Sequence, residues 1–298
     1  MGKTRGAPRL VADLALLAVA GAWGLTFPFG KVVLASLTPF TYLALRFTLA
    51  AFVLAVIMPR RLAAMPRRLW TRGAGVGAVL FLGYVFQTIG LRLTTASNAG
   101  FITGLSVVIV PVISALWLRK TPPAWVLVGI ALATVGLWLL TLNEAIGVRR
   151  GDLLILACAG CFALHIVLVG RFARSFDPVG FATAQVAAVA VLSVLAAAPD
   201  RPLPALEASG QTIWILVVFM VLTATVAAFL IQTWAQRFTT ASHTGLMFAF
   251  EPVAAALAAR VVLGELLAGR RALGAGLILA GIVVAELNQE AQESRTEG

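Results

Sequence analysis

The chain has 298 residues, of which 60% are hydrophobic and 12% charged, and its mean hydropathy is +0.97. Soluble domains carry about 25% charged residues, so this composition excludes an ordinary soluble protein and indicates a membrane protein. The net charge of +11 does not indicate nucleic-acid binding, because the basic residues lie in short loops between apolar runs, as the positive-inside rule predicts.

Ten apolar segments are each long enough to cross a bilayer as a helix. About 20 apolar residues span the hydrocarbon core. The first segment follows Lys3, Arg5 and Arg9 and is too long for a cleaved signal peptide. We expect an all-α integral membrane protein with a polar tail over 288–298. In chain order the ten predicted helices cover about 12–35, 39–58, 73–91, 96–118, 124–142, 152–170, 179–198, 212–235, 244–263 and 271–287.

The chain also repeats itself weakly. Residues 87–100 (QTIGLRLTTASNAG) and 232–245 (QTWAQRFTTASHTG) are identical at eight of fourteen positions, at an offset of 145. The earlier helices match more faintly at an offset of 139, which aligns Asp13 with Asp152. Each copy holds five helices, and because five is odd, successive copies insert in opposite orientations. We predict two inverted five-helix repeats, over 12–142 and 152–287.

The distribution of basic residues predicts the orientation. With the N-terminus in the cytoplasm, the cytoplasmic segments hold fourteen lysines and arginines and the outer segments hold seven. Loops rich in lysine and arginine stay on the cytoplasmic side. Both termini are therefore expected in the cytoplasm.

The paired Gln-Thr and Thr-Thr-Ala-Ser stretches, and the run from Glu251-Pro252 to Gly264-Glu265, resemble the bacterial drug/metabolite transporter superfamily, EamA type. The resemblance extends over about 12–287. It implies a ten-helix basket around a central cavity, and a secondary transporter in the bacterial inner membrane that exports amino acids, related metabolites or drugs by alternating access. We expect a monomer or homodimer, a small-molecule solute, surrounding lipid and no cofactor. The driving force is a proton or the solute's own gradient.

Two titratable side chains are the candidates for proton coupling. Glu251 and His165 lie at similar depth in their predicted helices, counted at 1.5 Å per residue. Buried carboxyl and imidazole groups can exchange protons near neutral pH. The alternatives are a structural acid beside Pro252 and a hydrogen-bonded packing histidine.

Polar side chains within the helices are the candidates for solute binding. Arg46 could attract a carboxylate or phosphate, or instead bind a helix end or an acid. The neutral candidates could equally join helices by hydrogen bonds. They are Thr26, Gln87, Asn98, Thr103, Ser106 and Gln232.

Aromatic residues and prolines complete the predicted site. An aromatic wall suits an apolar or aromatic solute, although each ring alone is as readily a packing residue; its candidates are Trp23, Tyr84, Phe101, Phe162, Trp234 and Phe248. Pro28, Pro111 and Pro252 each remove a helix hydrogen bond. They are the predicted hinges, with static kinks as the alternative.

The sequence argues against other classes of membrane protein. An integral-membrane enzyme is the main alternative, but the chain lacks the H-E-x-x-H and G-x-S-x-G motifs, and its two histidines are too few for a three-histidine zinc site. An ATP-driven pump would need a phosphate-binding loop, which is absent. A non-transporting scaffold would have no need of a duplication. We therefore predict no enzymatic activity and no metal.

Overall fold

A computed structural model describes residues 6–59, 62, 64–94, 96–119, 122–141, 150–200, 210–255, 257 and 269–296. The regular structure within these ranges is helical. The helices are α1 Gly6–Ser36, α2 Pro39–Ile57, α3 Arg67–Leu93, α4 Ala96–Gly104, α5 Ser106–Leu118, α6 Ala124–Thr141, α7 Arg150–Phe172, α8 Pro178–Ala197, α9 Gln211–Val221, α10 Ala228–Ala235, α11 Ala241–Phe248 and α12 Arg270–Thr296. A π-helical segment, Leu222–Ala227, joins α9 to α10.

Seven helical stretches in the described part of the chain are long and apolar enough to cross a membrane. Helix Ala124–Leu139 is apolar but shorter. The predicted span over 244–263 extends into residues outside the described ranges. The count of ten transmembrane helices therefore stays a prediction. The seven stretches are Arg9–Ser36, Pro39–Ile57, Arg67–Leu93, Ala99–Trp117, Arg150–Phe172, Pro178–Asp200 and Gln211–Ala235.

The second helix of each half begins in the same way. The Thr38 hydroxyl accepts a hydrogen bond from the Thr41 amide at the start of α2. The Asp177 carboxylate accepts one from the Gly180 amide at the start of α8. Thr38 and Asp177 are 139 residues apart, and each precedes a proline. A capping side chain followed by proline is a strong helix-start signal, so both copies kept this local chemistry.

The fourth predicted helix of each half is broken. A turn at Leu105 separates α4 from α5. In the second half, a turn at Ala249 and Phe250 separates α11 from a helical segment over 251–255. Leu105 and Phe250 are 145 residues apart, and each amide donates to the carbonyl three residues earlier, at 3.1 Å. The two breaks are therefore equivalent in position and in hydrogen bonding.

Helices α6 and α12 pack together through glycines. A methyl group built on Gly281 would lie 2.5 Å from the Gly129 carbonyl oxygen, and one built on Gly136 would lie 2.5 Å from the Gly274 carbonyl oxygen. Gly129 and Gly136 correspond to Gly274 and Gly281 at the offset of 145. The contact is thus reciprocal, as a two-fold axis between equivalent surfaces requires.

The two ends of α1 contact different parts of the chain. At one end, Asp13 lies 3.5 Å from Arg9 and 3.2 Å from the His243 Nε2 atom. At the other end, the Lys31 ammonium donates to the Thr94 carbonyl at 2.7 Å, and the Thr94 hydroxyl donates to Asp152 at 2.5 Å. Asp13 and Lys31 are eighteen positions apart in one helix, which places these ends about 27 Å apart. Asp13 and Asp152 therefore lie at opposite ends of α1.

Candidate functional site

A cavity lined by residues of both halves lies between them. Helix α1 packs closely against the helical segment that begins at Glu251, because a methyl group on Gly24 would lie 2.6 Å from the Glu251 carbonyl oxygen. The lining residues are Trp23, Thr26, Leu80, Tyr84, Gln87, Thr103, Ser106, Phe162, His165, Ile166, Phe229, Gln232, Phe248 and Glu251.

Most of the lining residues are repeat equivalents of one another. The offset of 139 relates two lining pairs from α1 and α7, and the offset of 145 relates four pairs from the later helices. Leu80 and Ile166 are the lining residues outside this pattern. The cavity is therefore built from matching positions of the two copies. The pairs are Trp23 with Phe162, Thr26 with His165, Tyr84 with Phe229, Gln87 with Gln232, Thr103 with Phe248, and Ser106 with Glu251.

The helix breaks place two polar side chains on the cavity. Ser106 is the first residue of α5, and Glu251 opens the helical segment after the second break. Among the described residues, none forms a hydrogen bond or an ion pair with the Glu251 carboxyl group. A helix N-terminus favours negative charge. Glu251 is therefore positioned at an end that suits a carboxylate, with its oxygens available to a solute.

Aromatic rings form one wall of the cavity. The Trp23 ring lies 4.8 Å from Phe248 and 6.0 Å from Phe229 between centroids. The Tyr84 ring lies 5.3 Å from Phe162 and 6.5 Å from Phe229. Sequence reasoning missed Phe229, the ring shared by both groups. Its signal was present, because Phe229 is the repeat equivalent of Tyr84.

The amide and imidazole groups of the cavity differ in how they are bonded. His165 is buried and one ring nitrogen lies 2.7 Å from the Gln185 side-chain oxygen, which fixes the orientation of the ring. Gln232 donates to Gln236 at 3.2 Å, and its own side-chain oxygen is buried with no hydrogen bond. Buried polar atoms are nearly always bonded. The Gln232 oxygen is thus an acceptor that a solute in the cavity could use.

Arg46 lies behind the aromatic wall and does not line the cavity. Its guanidinium donates to the Thr225 hydroxyl at 2.8 Å, the Ala224 carbonyl at 3.0 Å and the Tyr42 hydroxyl at 3.2 Å. It also sits 5.2 Å from the centroid of the Tyr84 ring. The Ala224 carbonyl belongs to the π-helical segment, whose wider turns shift the usual hydrogen bonding between backbone amides and carbonyls.

The other predicted site residues lie elsewhere. Phe101 and Trp234 pack against the apolar core. Asn98 is in α4, but its side chain is outside the described residues. Within the described ranges, no group of three histidine, cysteine or acidic side chains is arranged to hold a metal ion.

The three predicted hinge prolines have different settings. Pro28 is inside α1 and exposed, and Pro111 is inside α5 and buried. Pro252 lies in the first turn after the second break. A proline in a first helical turn removes no hydrogen bond, so the break, rather than Pro252 itself, is where the helix is interrupted.

Comparison with protein families identifies the class to which this architecture belongs. The model of the EamA-like transporter family matches residues 10–142 and again residues 149–287. The chain belongs to the EamA-like transporter family. This confirms the resemblance drawn from the paired Gln-Thr and Thr-Thr-Ala-Ser stretches, and it indicates a multi-pass membrane transporter rather than an enzyme.

Individual relatives agree with this family. An uncharacterized transporter of Archaeoglobus fulgidus is 34% identical over 289 residues, covering 96% of this chain and 89% of the relative. The uncharacterized transporter YyaM of Bacillus subtilis is 25% identical over 273 residues, covering 88% and 89%. A solved crystal structure with 22% identity superposes with a TM-score of 0.76 over 96% of this chain and 99% of its own, which shows the shared fold.

Proposed function

We propose that this EamA-family protein is a secondary transporter that moves a small solute through the cavity by alternating access between two inverted halves. The observation that carries the proposal is the pairing of the lining residues. A solute site shared by equivalent positions of two repeats is typical of transporters with inverted repeats. Each copy can then expose the same site to one side of the membrane.

The contacts between the halves support the inverted arrangement. Asp13 and Asp152 are repeat equivalents, yet they lie at opposite ends of α1. The reciprocal glycine contacts between α6 and α12 fit the same pseudo-two-fold axis. With two antiparallel copies of five helices each, the chain would have the ten helices predicted from sequence.

The polar contacts at the ends of α1 are the proposed gates. In each, an aspartate of one half reaches the Thr-Thr-Ala-Ser region of the other half: Asp13 contacts His243, and Asp152 contacts Thr94. Alternating access requires one end to open while the other stays closed. Breaking one contact and keeping the other would produce this alternation.

The proposal also includes the direction of transport and its coupling to protons. The excess of basic residues in the predicted cytoplasmic loops supports both termini in the cytoplasm. Export across a bacterial inner membrane is the direction that the family resemblance implies. Glu251 and His165 both line the cavity, so proton exchange between them and the solute is the proposed coupling. A single chain supplies both halves and would be the transport unit.

Reconstitution tests the proposal. The purified chain in proteoliposomes should exchange a labelled solute, drawn from amino acids, organic acids, amines and drugs, with the same solute trapped inside. Replacing Gln232 with leucine should lower this flux at least tenfold, because the unbonded amide oxygen is lost from the cavity. Thr134→Val is the control, since Thr134 lies in α6 outside the lining and bonds only within its helix.

Two results would contradict the proposal. Vesicles that exchange no member of the solute panel would argue against transport, and a chemically altered solute would indicate an enzyme. For the proton path, Glu251→Gln should remove the response of flux to a pH gradient. Flux that remains fully driven by pH in this variant would remove Glu251 from that path.

A further inference from the structure

The described lining of the cavity has an acidic side chain, Glu251, but no lysine or arginine. Arg46 is the nearby buried cation, but Thr225, Ala224 and Tyr42 take its hydrogen bonds and it stands outside the lining. A solute anion would therefore meet a carboxyl group and no compensating cation in the described lining.

Glu251 differs from the other acids whose side chains the structure describes. Asp13 contacts Arg9 and His243, and Asp152 accepts from Thr94. Asp177 caps α8, and Asp200 accepts a hydrogen bond from Thr38. A carboxylate away from water is costly unless a charge or hydrogen bonds compensate it. Among the described side chains none supplies a compensating charge to Glu251, so a cationic solute could supply it.

The aromatic wall suits a cation with an apolar body. Ring faces attract ammonium groups within about 6 Å of the centroid, most strongly for tryptophan. Trp23 and Phe248 lie on one side of Phe229 in the cavity wall, and Tyr84 and Phe162 lie on the other. Tyr84 already carries the Arg46 guanidinium against its ring, so the group around Trp23 is the better position for a second cation.

We propose that the cavity binds a monocationic amphipath: a protonated amine on an aromatic or aliphatic body, with its ammonium group at Glu251 and its body against the ring of Trp23. This substrate class rests on the transport function proposed above. The amides of Gln87 and Gln232 supply hydrogen bonds to a polar substituent. Anions and zwitterions bind less well, because the described lining holds no lysine or arginine to pair with their carboxylate.

A matched set of indoles tests the charge preference without depending on transport. Tryptamine is a cation, tryptophol neutral, indole-3-propionate an anion and tryptophan a zwitterion at neutral pH, and all share one ring system. Their binding to the purified full-length chain in detergent is measured by calorimetry. Tryptamine should bind at least tenfold more tightly than each of the other three.

Substitutions then locate the preference. Glu251→Gln keeps the size of the side chain and should weaken tryptamine binding at least tenfold while leaving tryptophol unchanged. Asp200→Asn is the control, because it also removes one negative charge but lies on an exposed turn. It should bind all four compounds as the wild type does. Equal elution profiles and melting temperatures establish that both variants are folded.

The outcomes separate this proposal from the transport proposal. Tighter binding of indole-3-propionate or tryptophan, undiminished tryptamine binding by the Glu251→Gln variant, or no binding of any of the four would overturn the cation assignment. Flux of some other solute in proteoliposomes would in those cases still support transport. Selective tryptamine binding without flux would instead support the cation site and argue against transport.

Discussion

Arg46 shows how one residue can hold the wall of the cavity without entering it. The buried guanidinium bridges α2 to the π-helical segment through Thr225 and the Ala224 carbonyl. The Trp23 indole nitrogen donates to the same carbonyl at 3.0 Å. The position and shape of the aromatic wall therefore depend on the contact between Arg46 and the π-helical segment, because Trp23 lines the cavity and Arg46 packs against Tyr84.

Replacing Arg46 with lysine should destabilise the protein although the charge is kept. An ammonium group cannot reproduce the forked hydrogen bonds of a planar guanidinium, and leaving a buried partner unsatisfied costs about 1–3 kcal/mol. A lower melting temperature in detergent, measured by intrinsic fluorescence, checks this. Arg72→Lys is the control, since Arg72 is exposed over the Phe172 ring and should change little. Equal melting temperatures for the two variants would contradict the role given to Arg46.

The sequence indicates that Arg46 is buried within a helix, but it does not indicate which groups bind the guanidinium. Thr225 and the Ala224 carbonyl lie in the π-helical segment. No residue of its sequence, LTATVA, indicates the wider turns of a π-helix. Tyr84 and Gln87 were accessible to sequence because they recur in the second copy as Phe229 and Gln232. Phe229 was not predicted, because a phenylalanine within an apolar helix does not differ in sequence from one that packs in the core or faces lipid.

At the scale of elements, the contact between α6 and α12 is set by glycine. The helix backbones approach so closely at Gly129 and Gly281 that a side chain on either would meet a carbonyl oxygen. Small residues permit this approach in membrane helices. The interface joins the last helix of one copy to the last helix of the other, so this contact contributes to the packing of the two halves against each other.

Two glycines on α12 provide a matched test of this contact. Gly281→Ala places a methyl group 2.5 Å from the Gly129 carbonyl oxygen, whereas Gly276→Ala points into open space. We expect the first to cost about 1–3 kcal/mol, as overpacking does, and the second to be neutral or slightly stabilising, because alanine is a better helix former. Thermal unfolding in detergent measures both. A Gly281→Ala protein as stable as Gly276→Ala would show that the helices do not pack here as described.

The helix breaks were not predicted from sequence, which indicated continuous spans over 96–118 and 244–263. The physical reason is that Leu105 and Phe250 are ordinary apolar residues, and neither turn contains a proline. The nearest signal, Pro252, follows the second break and has no equivalent at Val107 in the first copy. The sequence did indicate that Ser106 and Glu251, the polar residues that follow the two breaks, are equivalent positions of the two copies.

For the whole molecule, the duplication explains more than any single motif. It predicted which distant positions belong together, and the residues it related meet on one cavity. It does not determine which copy carries the charged chemistry: Glu251 and His165 come from the second half, while their equivalents Ser106 and Thr26 are neutral. This asymmetry places the acidic side chain of the cavity in the second half and underlies the proposed preference for cations.

The most direct test of the central claim, that the cavity is the solute path, is thiol labelling at Thr26. In a background with Cys158 and Cys161 replaced by alanine, Thr26→Cys places a thiol on the lining. Thr134→Cys is the matched control, because each threonine hydroxyl bonds only to its own helix, at 2.7 Å. A membrane-impermeant maleimide is applied to either face of oriented vesicles, and solute flux is then measured.

Alternating access predicts that the Thr26→Cys protein is labelled from both faces, that transported solute slows the labelling, and that labelled protein loses flux while the labelled control keeps it. Full labelling of Thr26→Cys with flux intact, or a thiol that reacts from neither face while flux continues, would contradict the account.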